Sequence, residues 1–313
     1  MSRTVLAFGE ILWDLLPTGA KLGGAPFNFA YRVNTLGDRG LMVSRLGRDD
    51  LGQRAWEQVV ALGMETEYLQ WDETLPTGTV RILFDADRNP DITILPGVAY
   101  DEIEVSEPLL ALAGQADCVC FGTLVQRAPK SRQTLHRLLD ASPQSLKLLD
   151  INLRRDCYSL ETITHSLERA HLLKLNEEEA RYLAQLFGLA WRSVPDFVTE
   201  FLARWPLSCC VVTLGERGAF AASADGPQVY APGYRGELAD PLGAGDAFTA
   251  GFLHHYLRGQ SLAECCRFGN VLGAIVSTQE GATAPIAQDT ISRFLETHAS
   301  RISDESLIAF SRP

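Results

Sequence analysis

Six short apolar runs, at residues 4–8, 41–44, 117–121, 146–150, 172–175 and 209–214, recur along the chain with helix-period stretches between most of them. A strand that is apolar on both faces has to be covered on both faces, which is the situation of a central strand in a parallel sheet. Helices are predicted at 27–36, 52–62, 131–140, 162–170, 177–187 and 196–204, then at 247–258, 261–277 and 289–298. Strands alternating with helices predict right-handed βαβ units, hence an α/β fold around a mainly parallel sheet. No repeat or linker divides the 313 residues, so a single domain over 1–313 is expected. Residues 303–313 are expected to be loosely held.

One stretch breaks the rhythm. Residues 79–85 alternate, with Val80, Ile82 and Phe84 on one face; a turn is predicted at 87–90, and Ile92 and Ile94 continue the alternation. That pattern predicts an antiparallel hairpin. With residues 11–22 it would form a small sheet, a lid made of about 11–22 and 68–97, whose apolar face covers a ligand cleft or a second subunit. A homodimer clasped through the lid is expected.

Twenty-eight basic against 39 acidic residues leave a net charge of −11, which repels polyanions and argues against nucleic-acid binding, so any anion site must be local. The apolar run near the start is far shorter than a signal-peptide core or the roughly 20 residues of a membrane span, so no membrane partner is expected and the cytoplasm is the predicted location. Seven cysteines form no CxxC pair, and none has a histidine partner at zinc-ligand spacing. They read as reduced and mostly buried. His254 and His255 are adjacent and so point roughly 100° apart on a helix, which is no metal pair.

Phosphate chemistry needs an anion device. None of the four lysines, Lys21, Lys130, Lys147 and Lys174, follows a glycine, so there is no Walker A loop, and no strand runs into GxGxxG. Instead Asp240-Pro241-Leu242-Gly243-Ala244-Gly245-Asp246 leads directly into an apolar helix. Small residues at Gly243, Ala244 and Gly245 let successive backbone N–H groups converge on an anion at a helix start. Asp246 at the rim is a candidate base for an attacking hydroxyl, kept ionised by the helix dipole. The same seven residues also read as a tight turn with Asp246 as the helix N-cap.

Three further clusters carry polar groups. Gly23 and Gly24 precede a helix and permit close backbone approach to a ligand, Asn28 both donates and accepts, and Asp14 is placed to hold sugar hydroxyls; a flexible turn and a cap account for the same residues structurally. Asn176 with Glu179 three residues on is a capping box, and also a carboxylate at the C-terminal end of a parallel strand, suited to Mg²⁺ through water. The run from Thr213 through Gly215 to Gly218 is a strand ending in a glycine-flanked loop suited to nucleotide contact.

Together these residues resemble the ribokinase-like (PfkB) family of ATP-dependent sugar kinases over nearly the whole chain. The likeness rests on GGAPFNFA at 23–30 with Gly37 and Gly47, and on DPLGAGDAFTAGFL at 240–253; residues 47–52, 150–154, 176–179 and 213–218 are similar to the family's intermediate blocks. It implies a three-layer sandwich with a small β-sheet lid, Asp246 as base, and an anion hole at 243–245. It further implies Asp14, Gly23, Gly24, Asn28 and Arg154 on the sugar, and Asn176, Thr213, Gly215, Gly218 and Asn270 on ATP. Glu179 is implied for water-bound Mg²⁺ and Asp240 for a K⁺ ion, whose binding is left open. GGAPFNFA and residues 76–79 look most like fructokinases, so fructose is the expected acceptor. A 2-keto-3-deoxygluconate, ribose or tagatose-phosphate kinase, or a silent sugar-binding regulator, stays open.

Overall fold

A computed structural model of the chain describes residues 2–16, 19–84, 90–234, 239–297 and 301–311. The N-terminal part runs β1 (Thr4–Phe8), β2 (Leu12–Leu16), β3 (Gly19–Gly23), α1 (Ala25–Thr35), β4 (Arg39–Gly47), α2 (Asp50–Ala61), β5 (Leu69–Asp72), β6 (Gly78–Phe84) and β7 (Pro90–Ile94). The middle continues with α3 (Glu107–Gln115), β8 (Cys118–Phe121), α4 (Pro129–Ala141), β9 (Leu146–Asp150), α5 (Leu160–Arg169), β10 (Leu172–Asn176), α6 (Glu177–Leu186) and α7 (Val194–Arg204). Then come β11 (Cys209–Thr213), β12 (Ala219–Ser223), β13 (Gln228–Ala231), β14 (Gly233–Tyr234), α8 (Ala244–Tyr256), α9 (Leu262–Ser277), α10 (Gln288–Thr297) and β15 (Arg301–Ile302).

The main sheet has the order β13-β12-β11-β10-β9-β8-β1-β4-β5. From β11 to β5 every pairing is parallel, and β12 and β13 continue the sheet antiparallel. The α/β class with a mainly parallel sheet is what the run-and-helix rhythm predicted. The three layers are legible in single strands. Leu6 and Phe8 of β1, Val119 and Phe121 of β8, and Leu41 and Val43 of β4 join one core, under α3 to α7. Their neighbours Val5, Ala7, Cys118, Cys120 and Met42 join the other, under α1, α2, α8 and α9. Period-2 side chains thus feed two cores from one sheet.

A separate four-stranded sheet, order β3-β2-β6-β7, holds the hairpin predicted from the alternation. The turn expected at 87–90 lies outside the described residues apart from Pro90. So do the side chains of Ile82, Phe84 and Ile92, and of that stripe Val80 is described and is buried. Residues 69–72, taken with the lid, instead pair with Ser44–Gly47 as β5 at the edge of the main sheet, because β4 is nine residues long and runs past its apolar run.

Residues 303–311 of the tail are not loose. Leu307 is buried in the core beneath α3 to α7, Phe310 meets Phe220 edge to face at 5.4 Å, and the Asp304 amide donates to Tyr230 Oη at 2.7 Å. Arg217 pairs with Asp304 as well. The seven cysteines are free and buried, and no helix among the described residues is long and apolar enough to cross a membrane.

Strand order reverses between β1 and β8, since the chain moves outward to β4 and β5 before returning to β8. Open α/β sheets bind ligands at the C-terminal strand ends beside such a reversal. Glu10 follows β1, Asp150 ends β9, Asn176 ends β10 and Thr213 ends β11.

Candidate active site

The tip of α8 is set by one backbone requirement. Gly243 is the N-cap at φ 79°, and a Cβ there would lie 2.3 Å from the Ala282 methyl, so a side chain would be both strained and crowded. No side chain caps the helix, and amides of its first turn lack intrahelical acceptors. Ala244 and Gly245 line a 490 Å³ cleft together with Asn176, Thr213, Gly215, Gly218 and Asn270. The predicted nucleotide residues and the predicted anion site therefore share one cleft. Two of the expected donors differ in detail: Gly243 is not among the lining residues, and the Ala244 amide donates to Pro241 O at 3.3 Å.

Asp246 is not the N-cap. It is the third residue of α8, 8% exposed, and its Oδ2 accepts from Asn28 Nδ2 at 2.9 Å. The dipole was expected to keep it ionised at neutral pH. Burial pushes its pKa up to about 6, helped by the nearby Asp150 charge and opposed by the Asn28 hydrogen bond, Lys174 and Arg154. It is still mainly a carboxylate at neutral pH, and a base of that strength suits proton abstraction.

Beneath the tip lies a buried ion pair. Lys174 Nζ donates to Asp150 Oδ1 at 3.1 Å, and Thr249 Oγ1 donates to Asp150 Oδ2 at 2.7 Å. The Lys174 ammonium would sit 3.4 Å from a Cβ built on Gly245, which places a fixed cation against the turn at 243–245. The Asp150, Glu179 and Asp246 charges raise the Lys174 pKa against burial, which alone would lower it.

On the other side of Asp246 the chain gathers carboxylates. Glu10 is buried and pushed up to about 7 by desolvation, with its own amide, Arg154 and Ala25 lowering it and Asp246 raising it. Gly24, at φ 117°, brings the start of α1 against the Glu10 carbonyl, where a Cβ would come within 2.4 Å. Asp14 on β2 lies in register between Lys21 and Val80 and beside Gly23; burial raises its pKa, Arg154 lowers it and Asp240 raises it. Arg154 is exposed, and its charge reaches Glu10, Asp14 and Asp246. It sits in a loop with two positive-φ non-glycine residues, Asn152 at 39° and Asp156 at 62°. A water-sized cavity of 20 Å³ beside the strand-order reversal is lined by Glu10, Thr123, Asp150 and Asn152 among others.

The capping box at Asn176 is complete. Asn176 Oδ1 accepts from the Glu179 amide, and Glu179 Oε2 accepts from the Asn176 amide, each at 2.8 Å. Glu179 Oε1 accepts from the Leu153 amide at 2.9 Å, so both oxygens hold backbone and the carboxylate ties the Arg154 loop to β10. Thr213 Oγ1 donates to Leu175 O at 3.4 Å, and Asn270 Nδ2 donates to Ala231 O at 2.9 Å. Asp240 accepts from the Leu242 amide at 3.0 Å and from the Gly281 amide at 3.3 Å, with Lys21 Nζ 3.6 Å from its Oδ2.

Sequence reasoning missed Lys174, Asp150 and Glu10 as parts of this site. The signals were present: a lysine inside the apolar run Leu172-Leu173-Lys174-Leu175, and acids at the C-terminal ends of two buried parallel strands.

The pattern of the pfkB family carbohydrate kinases matches residues 18–289. Fructokinase-1 of Zea mays is 28% identical over 314 residues, covering 89% of this chain and 93% of that protein. A 2-dehydro-3-deoxygalactonokinase of Haloferax volcanii is 25% identical over 321 residues, covering 94% and 97%. The crystal structure of a fructokinase with bound ATP from Xylella fastidiosa superposes with a TM-score of 0.82 at 22% identity, covering 95% of this chain and 99% of that one, and so shares the fold. The match over 18–289 settles the family: this chain belongs to the pfkB carbohydrate kinases and is an ATP-dependent sugar kinase.

Proposed function

We propose that the protein transfers the γ-phosphoryl group of ATP to a hydroxyl of a neutral sugar, with fructose as the acceptor. The observation that carries this is the position of Asp246: it directly follows Gly245, which lines the cleft with Asn176, Thr213 and Gly215, it is held by Asn28, and its charge interacts with Glu10 and Arg154. Asn28 holds one Asp246 oxygen and leaves the other for the proton of the attacking hydroxyl. As that proton moves to Asp246, the hydroxyl oxygen bonds to the γ-phosphorus, the bond from phosphorus to the bridging oxygen breaks, and ADP leaves. The transferring group carries its charge on peripheral oxygens, and amides at the tip with Lys174 beneath them supply preorganised positive potential.

Magnesium on the phosphates supplies further charge neutralisation. Among the described residues no group of three or more His, Cys, Asp or Glu could hold a metal ion. Glu179, with both oxygens on amides, fits as an outer partner of the ion's water and not as a direct ligand.

Charge favours a neutral acceptor. Asp14 and Asp246 accept hydrogen bonds from hydroxyls and repel an anionic sugar, and Glu10, pushed up to about 7, adds a partial charge of the same sign at neutral pH. Of the arginines that could pair with such an anion, Arg81, Arg127 and Arg154, Arg127 is spent on Asp101, with its Nε 2.9 Å from Oδ1, and Arg154 faces Glu10, Asp14 and Asp246. In our reading β2, β3, β6 and β7 act as the lid over the sugar and as the clasp of a homodimer, and the enzyme works in the cytoplasm. The test is ADP release with MgATP across neutral ketoses and aldoses and sugar acids. Fructose should give the highest kcat/KM; a preference for 2-dehydro-3-deoxygluconate would overturn the neutral-sugar assignment, and no turnover at all would overturn the reaction.

A further inference from the structure

Helix α1 touches the catalytic tip twice. Asn28 holds Asp246, and one turn further along the same face Arg32 Nη2 donates to the carbonyl of Ala282 at 2.6 Å. Ala282 is itself buried, and its methyl is the group a Cβ on Gly243 would strike. Asn28 and Arg32 thus grip the tip of α8 from two sides, one directly and one through the 281–282 turn. The Asp240 side chain adds a third tie, accepting from the Gly281 amide.

Arg32 is an unusual group to find there. It is 1% exposed, and its Nε and Nη1 have no hydrogen-bond partner among the described residues. The largest influence on it is desolvation, which lowers its pKa to about 10, and no carboxylate is among the groups acting on it. A buried cation with unused donors opposes folding, and an apolar side chain of similar volume would pack there without that penalty. The Tyr31 ring, its centroid 5.1 Å from Arg32 Cζ, and the Ala282 carbonyl offset part of that cost, and two donors stay unused.

Resting on the kinase reading above, we propose that Arg32 is a positioning residue for phosphoryl transfer. It braces the 281–282 turn against Gly243 and so fixes the first turn of α8 in the orientation that receives the transferring group. Its hydrogen bond goes to Ala282, which is neither one of the sugar-side carboxylates nor a residue lining the large cleft, so its influence falls on geometry at the reaction centre.

The test compares wild type with Arg32→Met and Arg32→Lys by steady-state kinetics, thermal unfolding, and the thermal shift produced by a non-hydrolysable ATP analogue. Arg32→Met should keep its Tm at or above that of wild type while kcat falls by about 10²-fold, as expected when a reacting geometry is displaced by about 1 Å. KM for the sugar should stay within about twofold of wild type. Arg32→Lys, which keeps a donor within reach of Ala282, should recover part of kcat. A kcat in Arg32→Met equal to that of wild type would overturn the proposal. So would parallel losses of kcat and Tm in both variants, because that is the behaviour of a packing residue. Wild type that neither turns over nor shows the nucleotide shift would instead remove the kinase reading, and the role of Arg32 with it.

Discussion

Replacing Asp246 by Asn separates the chemical role of this residue from its cost to the fold. The native pKa is raised from 3.8 to about 6, chiefly by burial. At about 1.4 kcal/mol per pKa unit, keeping this carboxylate ionised inside the protein costs about 3 kcal/mol at neutral pH. An acid whose folded pKa is raised binds its proton more tightly in the native state, so wild type loses this stability as pH climbs from about 4 to 6, and above that the cost is fully present. Asn carries no such charge and still offers an oxygen to Asn28 Nδ2. With an unfolding entropy of about 2.1 cal/mol/K per residue over 313 residues, about 3 kcal/mol corresponds to a Tm higher by about 4–5 °C at pH 8. By pH 5 the gain should shrink to about half, since wild type is then mostly protonated. Turnover should fall by about 10²–10⁴, the usual loss when a general base is removed. Differential scanning calorimetry at the two pH values, with coupled ADP assays, measures all three. A variant that unfolds earlier than wild type at pH 8, or a Tm gap independent of pH, would refute the buried-base reasoning whatever the rate does.

As the proposed base Asp246 has to be ionised, so kcat/KM should fall as pH drops below about 6, and because Glu10 is pushed up to about 7 and is already largely neutral there, Glu10→Gln should leave that limb in place; a limb displaced in Glu10→Gln would mean that Glu10 keeps its charge where Asp246 titrates. Lys174→Met strands Asp150 with Thr249 as its remaining side-chain partner, so it should cost about 3–5 kcal/mol in denaturant unfolding, and adding Asp150→Asn should restore most of it; a single variant as stable as wild type would mean the pair is not an interacting unit. The Lys21 ammonium beside Asp240 already supplies a positive charge there, so replacing K⁺ by tetramethylammonium should leave wild-type turnover unchanged and make Lys21→Met dependent on K⁺; strong K⁺ activation of wild type would contradict this.

The parallel half of the sheet could be read from residue pattern because strands such as Leu172–Asn176 are buried on both faces and show it in their apolar runs. The strands that went unseen depend on neighbours. Ala219–Ser223 has four small residues with little strand preference around Phe220, and it extends the sheet because Ala219, Ala221 and Ser223 pair with Thr213, Val211 and Cys209. Glu107–Gln115 did carry a local start signal, Ser106 accepting from the Leu109 amide ahead of Pro108, but its apolar face is short. In the tail, Leu307 and Phe310 stay in place through a core assembled from distant parts of the chain, and no local pattern announces that.

The site divides in the same way. The glycines, Asp246 and the capping box were legible because their spacing encodes backbone geometry. The sharing of charge among Asp150, Lys174, Glu10 and Asp246 was not, since it arises where β1, β9, β10 and α8 converge. Glu179 shows how one residue type supports two readings: the capping box predicted from Asn176 is formed, and the Leu153 amide takes the remaining oxygen that a metal ion would otherwise approach.

The most direct measurement follows the phosphorus itself. Phosphorus-31 NMR of the protein with MgATP and fructose should show the γ-phosphate resonance replaced by that of a sugar phosphate monoester in wild type, and no such change with Asp246→Asn under conditions where calorimetry shows fructose still binding. A monoester signal that grows at the wild-type rate in Asp246→Asn would contradict the assignment of that carboxylate as the base at the tip of α8.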